Sequence, residues 1–255
     1  MISVLKSMFG REKQQRKRPF CSVVIVAAGK GTRMKTGQNK QFMNLIDRPV
    51  LAYTLEAFEQ CEWIDEIIVV TSEEGIVLCK EIVDISELIK VTKLIKGGQE
   101  RQHSVYNGLQ EISDKAELVA IHDGARPLVY PIHIQEVLEA ALDTGGAALG
   151  VPLKDTVKRI DDQNNIIETV DRNTLWAVQT PQAFKVDLIR QAHKDAMHDN
   201  IQVTDDCMLV ERMGVAIKMV QGSYDNIKIT TPEDMYLARA IIENVEWEEV
   251  EDELE

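Results

Sequence analysis

Three clusters of residues carry types and spacings suited to holding phosphate. The first is Ala27-Ala-Gly-Lys-Gly-Thr-Arg-Met34, followed closely by Lys40-Gln41. A glycine turn leaving a buried strand lets backbone N–H groups approach a phosphate, and the cations Arg33 and Lys40 would neutralise its charge. Two commoner phosphate motifs are excluded. A dinucleotide fingerprint needs a small residue where Met34 stands, and the spacing of a P-loop occurs nowhere in the chain.

The second cluster, His122-Asp-Gly-Ala-Arg-Pro127, closes another apolar run. Ligands of open α/β sheets bind beyond the carboxyl ends of strands, so Asp123 and Arg126 are expected to share a crevice with Gly29 and Arg33. His122 reads as a packed strand-end histidine rather than a catalytic base. The third cluster joins Gly97-Gly98 to Arg101 and Ser104, a tight turn before a helix start. Thr156, Arg172 and Thr180 on their own read as surface polarity. Lys228, inside the run Asn226-Ile-Lys-Ile229, is costly unless its ammonium reaches an anion or water.

These clusters need elements to position them. Residues 21–29 are continuously apolar apart from Ser22, rich in β-branched side chains and end on glycine, as a central parallel strand covered on both faces requires. Further strands are predicted over 66–72, 91–96, 118–122, 147–151 and 215–220. Helical patterns over 49–60, 104–112, 131–143, 185–197, 205–212 and 232–245 separate them, the last capped by Thr231 with Pro232 in the first turn. Such alternation implies right-handed crossovers and an α/β fold with a doubly wound, mostly parallel sheet. Residues 155–183 break the rhythm: period-2 patterns flank Asp161-Asp-Gln-Asn-Asn165, a β-hairpin signal. Inserted in such a chain, the hairpin should project as an arm, about residues 153–180, and pair with a second copy to make a homodimer.

Composition bounds the function. The 255 residues carry 44% hydrophobic and 28% charged side chains, ordinary values that fit one large domain, here expected over 21–242. The net charge of -13 argues against binding nucleic acid through its backbone, whereas a free nucleotide needs only a few placed cations. Residues 1–20 hold six basic side chains and one acid, and residues 243–255 hold eight acids and no base; both read as solvated tails. Four dispersed cysteines look like reduced thiols. With no run of about 18 apolar residues and no secretory signal pattern, a cytoplasmic protein away from membranes is expected.

The glycine turn with its Lys-Gln pair resembles the signature of sugar-phosphate nucleotidyltransferases. Further motifs narrow the resemblance to the 2-C-methyl-D-erythritol 4-phosphate cytidylyltransferase family: Gly97 to Val105, His122 to Pro127, Asp155-Thr156, Thr169 to Trp176, Gln179-Thr-Pro-Gln182, Thr204-Asp205 and Asp225 to Thr230. They run in order across about residues 20–242. The resemblance implies a Rossmann-like nucleotidyltransferase fold and transfer of CMP from CTP to a small polyol phosphate, in isoprenoid precursor synthesis. It assigns the nucleotide to Ala27, Ala28, Gly29, Gly31, Thr32, Arg33, Lys40, Gly98, Ser104 and Asp123. The acceptor falls to Asp123, Arg126, Thr156, Arg172, Thr180 and Lys228, with the arm supplied by the partner subunit. Arg33, Lys40, Arg172 and Lys228 would carry catalysis, and Asp123, with Asp225 as a second candidate, would face Mg²⁺ or another divalent cation. A ribitol 5-phosphate cytidylyltransferase and a non-catalytic nucleotide-binding protein are the alternatives. Two positions depart from the family pattern: Asn39 stands where a proline usually precedes the lysine, and Gln99 stands where some relatives are acidic.

Overall fold

In the computed structural model, Cys21–Ala27 forms strand β1 with all seven residues buried. The structure describes residues 18–29 and 39–252. On one side β1 pairs in parallel with β4 (Glu66–Thr71), and β5 (Val91–Lys96) continues to that edge. On the other side it pairs in parallel with β6 (Leu118–Asp123). Beyond β6 lie β10 (Trp176–Lys185), β7 (Gly146–Pro152) and β11 (Lys218–Gln221). Within this sheet β10 alone runs antiparallel to its neighbours.

Successive strand residues point to opposite faces, and the two faces bury different helices. Val23, Ile25 and Ala27 face α1 (Val50–Gln60), α2 (Glu73–Ile85) and α4 (Pro131–Thr144). Val24 and Val26 face α3 (Arg101–Glu111), α5 (Val186–His198) and α6 (Cys207–Glu211). The expected doubly wound architecture is therefore present, as three layers. The chain moves outward from β1 through β4 to β5, then returns to the other flank of β1 with β6. This reversal opens a crevice beyond the carboxyl ends of β1 and β6, where Gly29 and Asp123 stand.

A small hairpin of β2 (Asn44–Leu45) and β3 (Arg48–Pro49) precedes α1, and α7 (Pro232–Asp252) closes a third apolar cluster over Leu45, Val50 and Ile229. Helix α7 begins at the expected place. Its first turn is tied down by Asp234, whose carboxylate accepts from the amides of Thr230 and Thr231, both at 2.8 Å. The helix runs past residue 245, where its apolar pattern was expected to end.

The arm is a two-stranded antiparallel hairpin, β8 (Lys158–Ile160) and β9 (Ile166–Thr169), with every residue exposed. Asp161 shapes its turn by accepting from the amides of Gln163 and Asn165 at 2.9 and 2.8 Å, and Asn164 adopts φ 65. The predicted hairpin region was too long at its far end. Residues from Trp176 onward return to the sheet as β10, a strand hidden from sequence reading by Pro181, which removes a ladder donor and sits at an irregularity between Val178 and Gln182. Helix α2 was also missed, although its start is legible: Ser72 caps it by accepting from the amide of Gly75 at 3.1 Å, with Glu73 and Glu74 in the first turn.

All four cysteines are free and buried. Among the described residues no helix is long and apolar enough to cross a membrane. Helix α3 lies unusually close to the sheet: a Cβ on Gly108 would stand 2.4 Å from Val24 Cγ1 and 3.0 Å from Val70 Cγ2. Gly108→Ala is expected to lower the unfolding free energy by about 1–3 kcal/mol in urea titrations; an unchanged midpoint would contradict this packing.

Candidate active site

The carboxyl ends of β1, β5 and β6 and the start of α3 surround a cavity of ≈ 630 Å³. Ala28, Gly29, Lys40, Gln41, Gly98, Gln99, Arg101, Ser104, Asp123 and Lys228 are among its lining residues. The turn at its floor tolerates only glycine, because a Cβ on Gly97 would stand 2.5 Å from Ala28 Cβ and 2.7 Å from Ser104 Oγ. Ser104 holds this turn: its hydroxyl accepts from the amide of Gly98 and donates to the carbonyl of Glu100, each at 3.1 Å. The first amides of an α-helix lack partners within it, so the start of α3 offers donors and partial positive charge to this cavity.

Lys40 opens a 3-10 turn, Lys40–Phe42, between β1 and β2. Although largely buried, its ammonium donates to the carbonyl of Ile229, which ties the turn to the segment carrying Lys228. Asn39 takes up the position where the family pattern has proline. Its amide makes long contacts to the carbonyl of Ala27, 3.4 Å, and from the amide of Gln41, 3.5 Å, so hydrogen bonds rather than a ring constrain the approach to Lys40.

Asp123 is the electrostatic centre. Its carboxylate accepts from Arg101 Nε at 3.0 Å and from Lys228 Nζ at 2.7 Å, with Arg126 Nε at 4.0 Å. Burial by itself would push this carboxyl up, but Arg101, Lys228 and Arg126 outweigh it and hold the group ionised, below the usual carboxylate range. Burial also pulls the Arg126 guanidinium down, opposed by Asp123 and aided by repulsion from Arg101. The requirement that Lys228 find an anion is met.

Behind the carboxylate runs a buried relay. The amide of Asp123 donates to Thr180 Oγ1, 3.1 Å, and that hydroxyl lies 3.1 Å from His122 Nδ1. His122 Nε2 lies 3.1 Å from the carbonyl of Arg126. Since a carbonyl only accepts, Nε2 carries the proton, Nδ1 accepts from Thr180, and every member is satisfied. Burial pushes His122 down to about 3, so the ring is neutral and serves as scaffold, as its strand-end position suggested.

The cavity thus gathers Ala28, Gly29, Lys40, Gly98, Ser104, Asp123 and Lys228. Gly31, Thr32 and Arg33 lie outside the described residues. Ala27 packs its side chain into the core below. Arg126 and Thr180 stand behind Asp123 rather than on the cavity wall, Arg126 donating to the carbonyl of Asn226 at 2.7 Å. Thr156 and Arg172 line a separate recess of ≈ 320 Å³ on the arm, with Arg172 donating to the carbonyl of Lys154 at 2.6 Å. Sequence reasoning named Arg101 only as part of a turn and overlooked Asp206, whose signal was the neighbouring Thr204-Asp205 motif.

Among the described residues no group of three or more His, Cys, Asp or Glu could hold a metal by itself. Magnesium keeps water and takes one or two carboxylates beside substrate phosphates, so Asp123, which lines the cavity together with Glu100, fits it. Asp225 does not join it: its carboxylate accepts from Tyr130 at 3.2 Å and Ser223 at 3.0 Å and does not line the cavity.

Fold and site together define an α/β protein built to hold a nucleotide's phosphates at a sheet's switch point. The family model described as IspD, 2-C-methyl-D-erythritol 4-phosphate cytidylyltransferase, matches residues 21–244. A protein of that name from Caldanaerobacter subterraneus is 50% identical over 222 residues, covering 87% of this chain and 98% of its own. Its counterpart from Desulforamulus reducens is 50% identical over 220 residues, 86% of this chain and 94% of the relative. The crystal structure of 4-diphosphocytidyl-2C-methyl-D-erythritol synthase from Anaerococcus prevotii superposes with a TM-score of 0.80 at 32% identity, covering 88% of this chain and 96% of that one. The chain belongs to the 2-C-methyl-D-erythritol 4-phosphate cytidylyltransferase family, and its fold is the Rossmann-like nucleotidyltransferase fold.

His122 supplies a test of the relay. Its ring resonances are expected to show the Nε2-protonated neutral tautomer without titration from about pH 8 to about pH 5. Because burial places its folded value near about 3, below the ordinary value of about 6.5, the unfolded chain takes up this proton first. Its contribution to stability is therefore complete at neutral pH and is lost as pH falls between those values. A His122 signal titrating near neutrality would break the relay.

Proposed function

We propose that this chain transfers CMP from CTP to 2-C-methyl-D-erythritol 4-phosphate, releasing pyrophosphate and forming 4-diphosphocytidyl-2-C-methyl-D-erythritol. The observation that carries this reading is the convergence of Lys40, Asp123 and Lys228 on one cavity floored by Gly29 and Gly98. The acceptor's phosphate monoester has a second pKa of roughly 6, so at neutral pH it is mostly a dianion and already a nucleophile. One of its oxygens attacks the α-phosphorus of CTP in line. The new P–O bond forms as the bond to the bridging oxygen breaks, and the electron pair leaves with pyrophosphate.

The residues position and neutralise. Lys40 faces the α-phosphoryl group as charge builds on it, a role that the family resemblance gives to Arg33 as well. Gly98 and Ser104, with the backbone of Ala28 and Gly29, hold the cytosine end. Magnesium, when bound, would neutralise triphosphate charge beside Asp123. Lys228, paired with Asp123, aims the acceptor phosphate across the cavity.

Thr156 and Arg172 hold that phosphate from the arm of a second copy. Three features support a homodimer: the arm recess is separate from the cavity of the same chain, both arm strands are exposed, and Ile160, Ile166 and Ile167 present apolar surface there. Four free, buried thiols are in keeping with a reducing cytoplasm.

The reading is tested by pyrophosphate release with CTP and, in turn, methylerythritol phosphate and ribitol 5-phosphate. Turnover is expected with the first acceptor, and a preference for ribitol 5-phosphate would replace the assignment. Lys40→Ala and Lys228→Ala should each lower kcat by about 100- to 1000-fold; near-full turnover of either would remove it from the reacting centre. Mixing inactive Lys40→Ala and Arg172→Ala chains should restore about a quarter of wild-type activity, because each mixed dimer has one site free of both changes. Absence of recovery after subunit exchange would refute the shared site.

A further inference from the structure

Arg101 faces two ways. Its Nε binds Asp123 at the cavity, while Nη1 donates to Asp206 Oδ2 at 2.7 Å. Asp206 is away from the cavity, with a side chain only 1% exposed, so it has no direct route to a bound ligand. A buried carboxylate needs compensation, and Asp206 obtains it from several elements. Its second oxygen lies 3.1 Å from His193 Nε2 on α5, and its amide donates to Gln182 Oε1 at 3.1 Å. Gln182 belongs to β10 and stands opposite Ile121, two residues before Asp123 on β6. The network therefore closes on itself: sheet to Gln182, to Asp206, to Arg101, to Asp123, and back to the sheet.

A guanidinium is suited to this bridge because its fork presents separate, coplanar donors, whereas a lysine ammonium is a point charge on a flexible stem. From this closed network, and resting on the reading of the cavity as the CTP site, we propose that Arg101 is a positioning residue for the nucleotide. Held by Asp206, it fixes the orientation of the Asp123 carboxylate beside the triphosphate. Asp206 is the remote half of the same device and acts on the nucleotide only through Arg101.

The test combines calorimetric titration of the full-length protein with CTP and magnesium, KM values for both substrates, and thermal unfolding. Asp206→Asn, nearly isosteric, should weaken CTP binding and raise the KM for CTP by about tenfold. The KM for the acceptor should change less than the KM for CTP, because the arm is untouched and Lys228 meets Asp123 at Oδ2, the oxygen that Arg101 does not bind. Arg101→Lys should weaken CTP binding at least as much, and the double variant should be no weaker than Arg101→Lys alone, since both changes break one chain.

Wild-type CTP affinity in folded Asp206→Asn, or effects that multiply in the double variant, would overturn the proposal and leave the cavity assignment standing. A wild-type protein that fails to bind CTP would remove both. Should Asp206→Asn not fold, His193→Gln, which alters a single hydrogen bond to Asp206, should still weaken CTP binding severalfold, and an unchanged affinity there would also refute the proposal.

Discussion

A carboxylate taken out of water must be compensated, and the compensation of Asp123 organises the catalytic end of this molecule. Arg101 comes from the start of α3, Arg126 from the loop after β6, and Lys228 from a segment about a hundred residues further on. Two of them are anchored a second time, Arg101 to Asp206 and Arg126 to the carbonyl of Asn226, so the ion cluster fastens four stretches of chain around the crevice. The cations also outnumber the acids. Arg126 feels Arg101 as a repulsive neighbour, and Lys40 adds a further positive charge at the rim. A site so charged is preorganised for an anion, because the cations need not move when it arrives.

Much of this was legible in the sequence, for physical reasons. A strand buried on both faces must be apolar throughout, and β1, β4 and β6 announce themselves that way. A lysine in an apolar run must find an anion, which pointed to Lys228 before its partner was known. What escaped was information carried by tertiary contact. β10 is broken in sequence by Pro181, and only pairing with β6 and β7 makes it a strand. Arg101 looked like part of a turn because nothing local says that Asp123 and Asp206, 22 and 105 residues away, converge on it. Thr180, read as a substrate contact, instead supports the backbone of Asp123 from behind.

In the proposed reaction the two ends are built on different kinds of structure. The nucleotide end rests on the sheet, where Thr180 and His122 bond to each other and to the backbone of Asp123 and Arg126, leaving little freedom to shift. The residues proposed to hold the acceptor, Thr156 and Arg172, flank a two-stranded ribbon with no core of its own. A lone hairpin is marginal in water, so its exposed isoleucines favour packing against another surface. Association of two copies would then be part of building the site.

For the proposed reaction, this division also explains why a histidine next to Asp123 takes no part in proton transfer. The attacking phosphate is a dianion at neutral pH, so the chemistry lacks a proton that must be removed. What it lacks is a way to bring a dianion up to a triphosphate against their mutual repulsion. Lys40, Arg101 and Lys228 answer that need with fixed charge, and His122, neutral and locked in one tautomer, keeps the loop carrying Arg126 and the amide of Asp123 in register. A charged imidazole in its place would be cut off from solvent by burial, a cost that the neutral ring avoids.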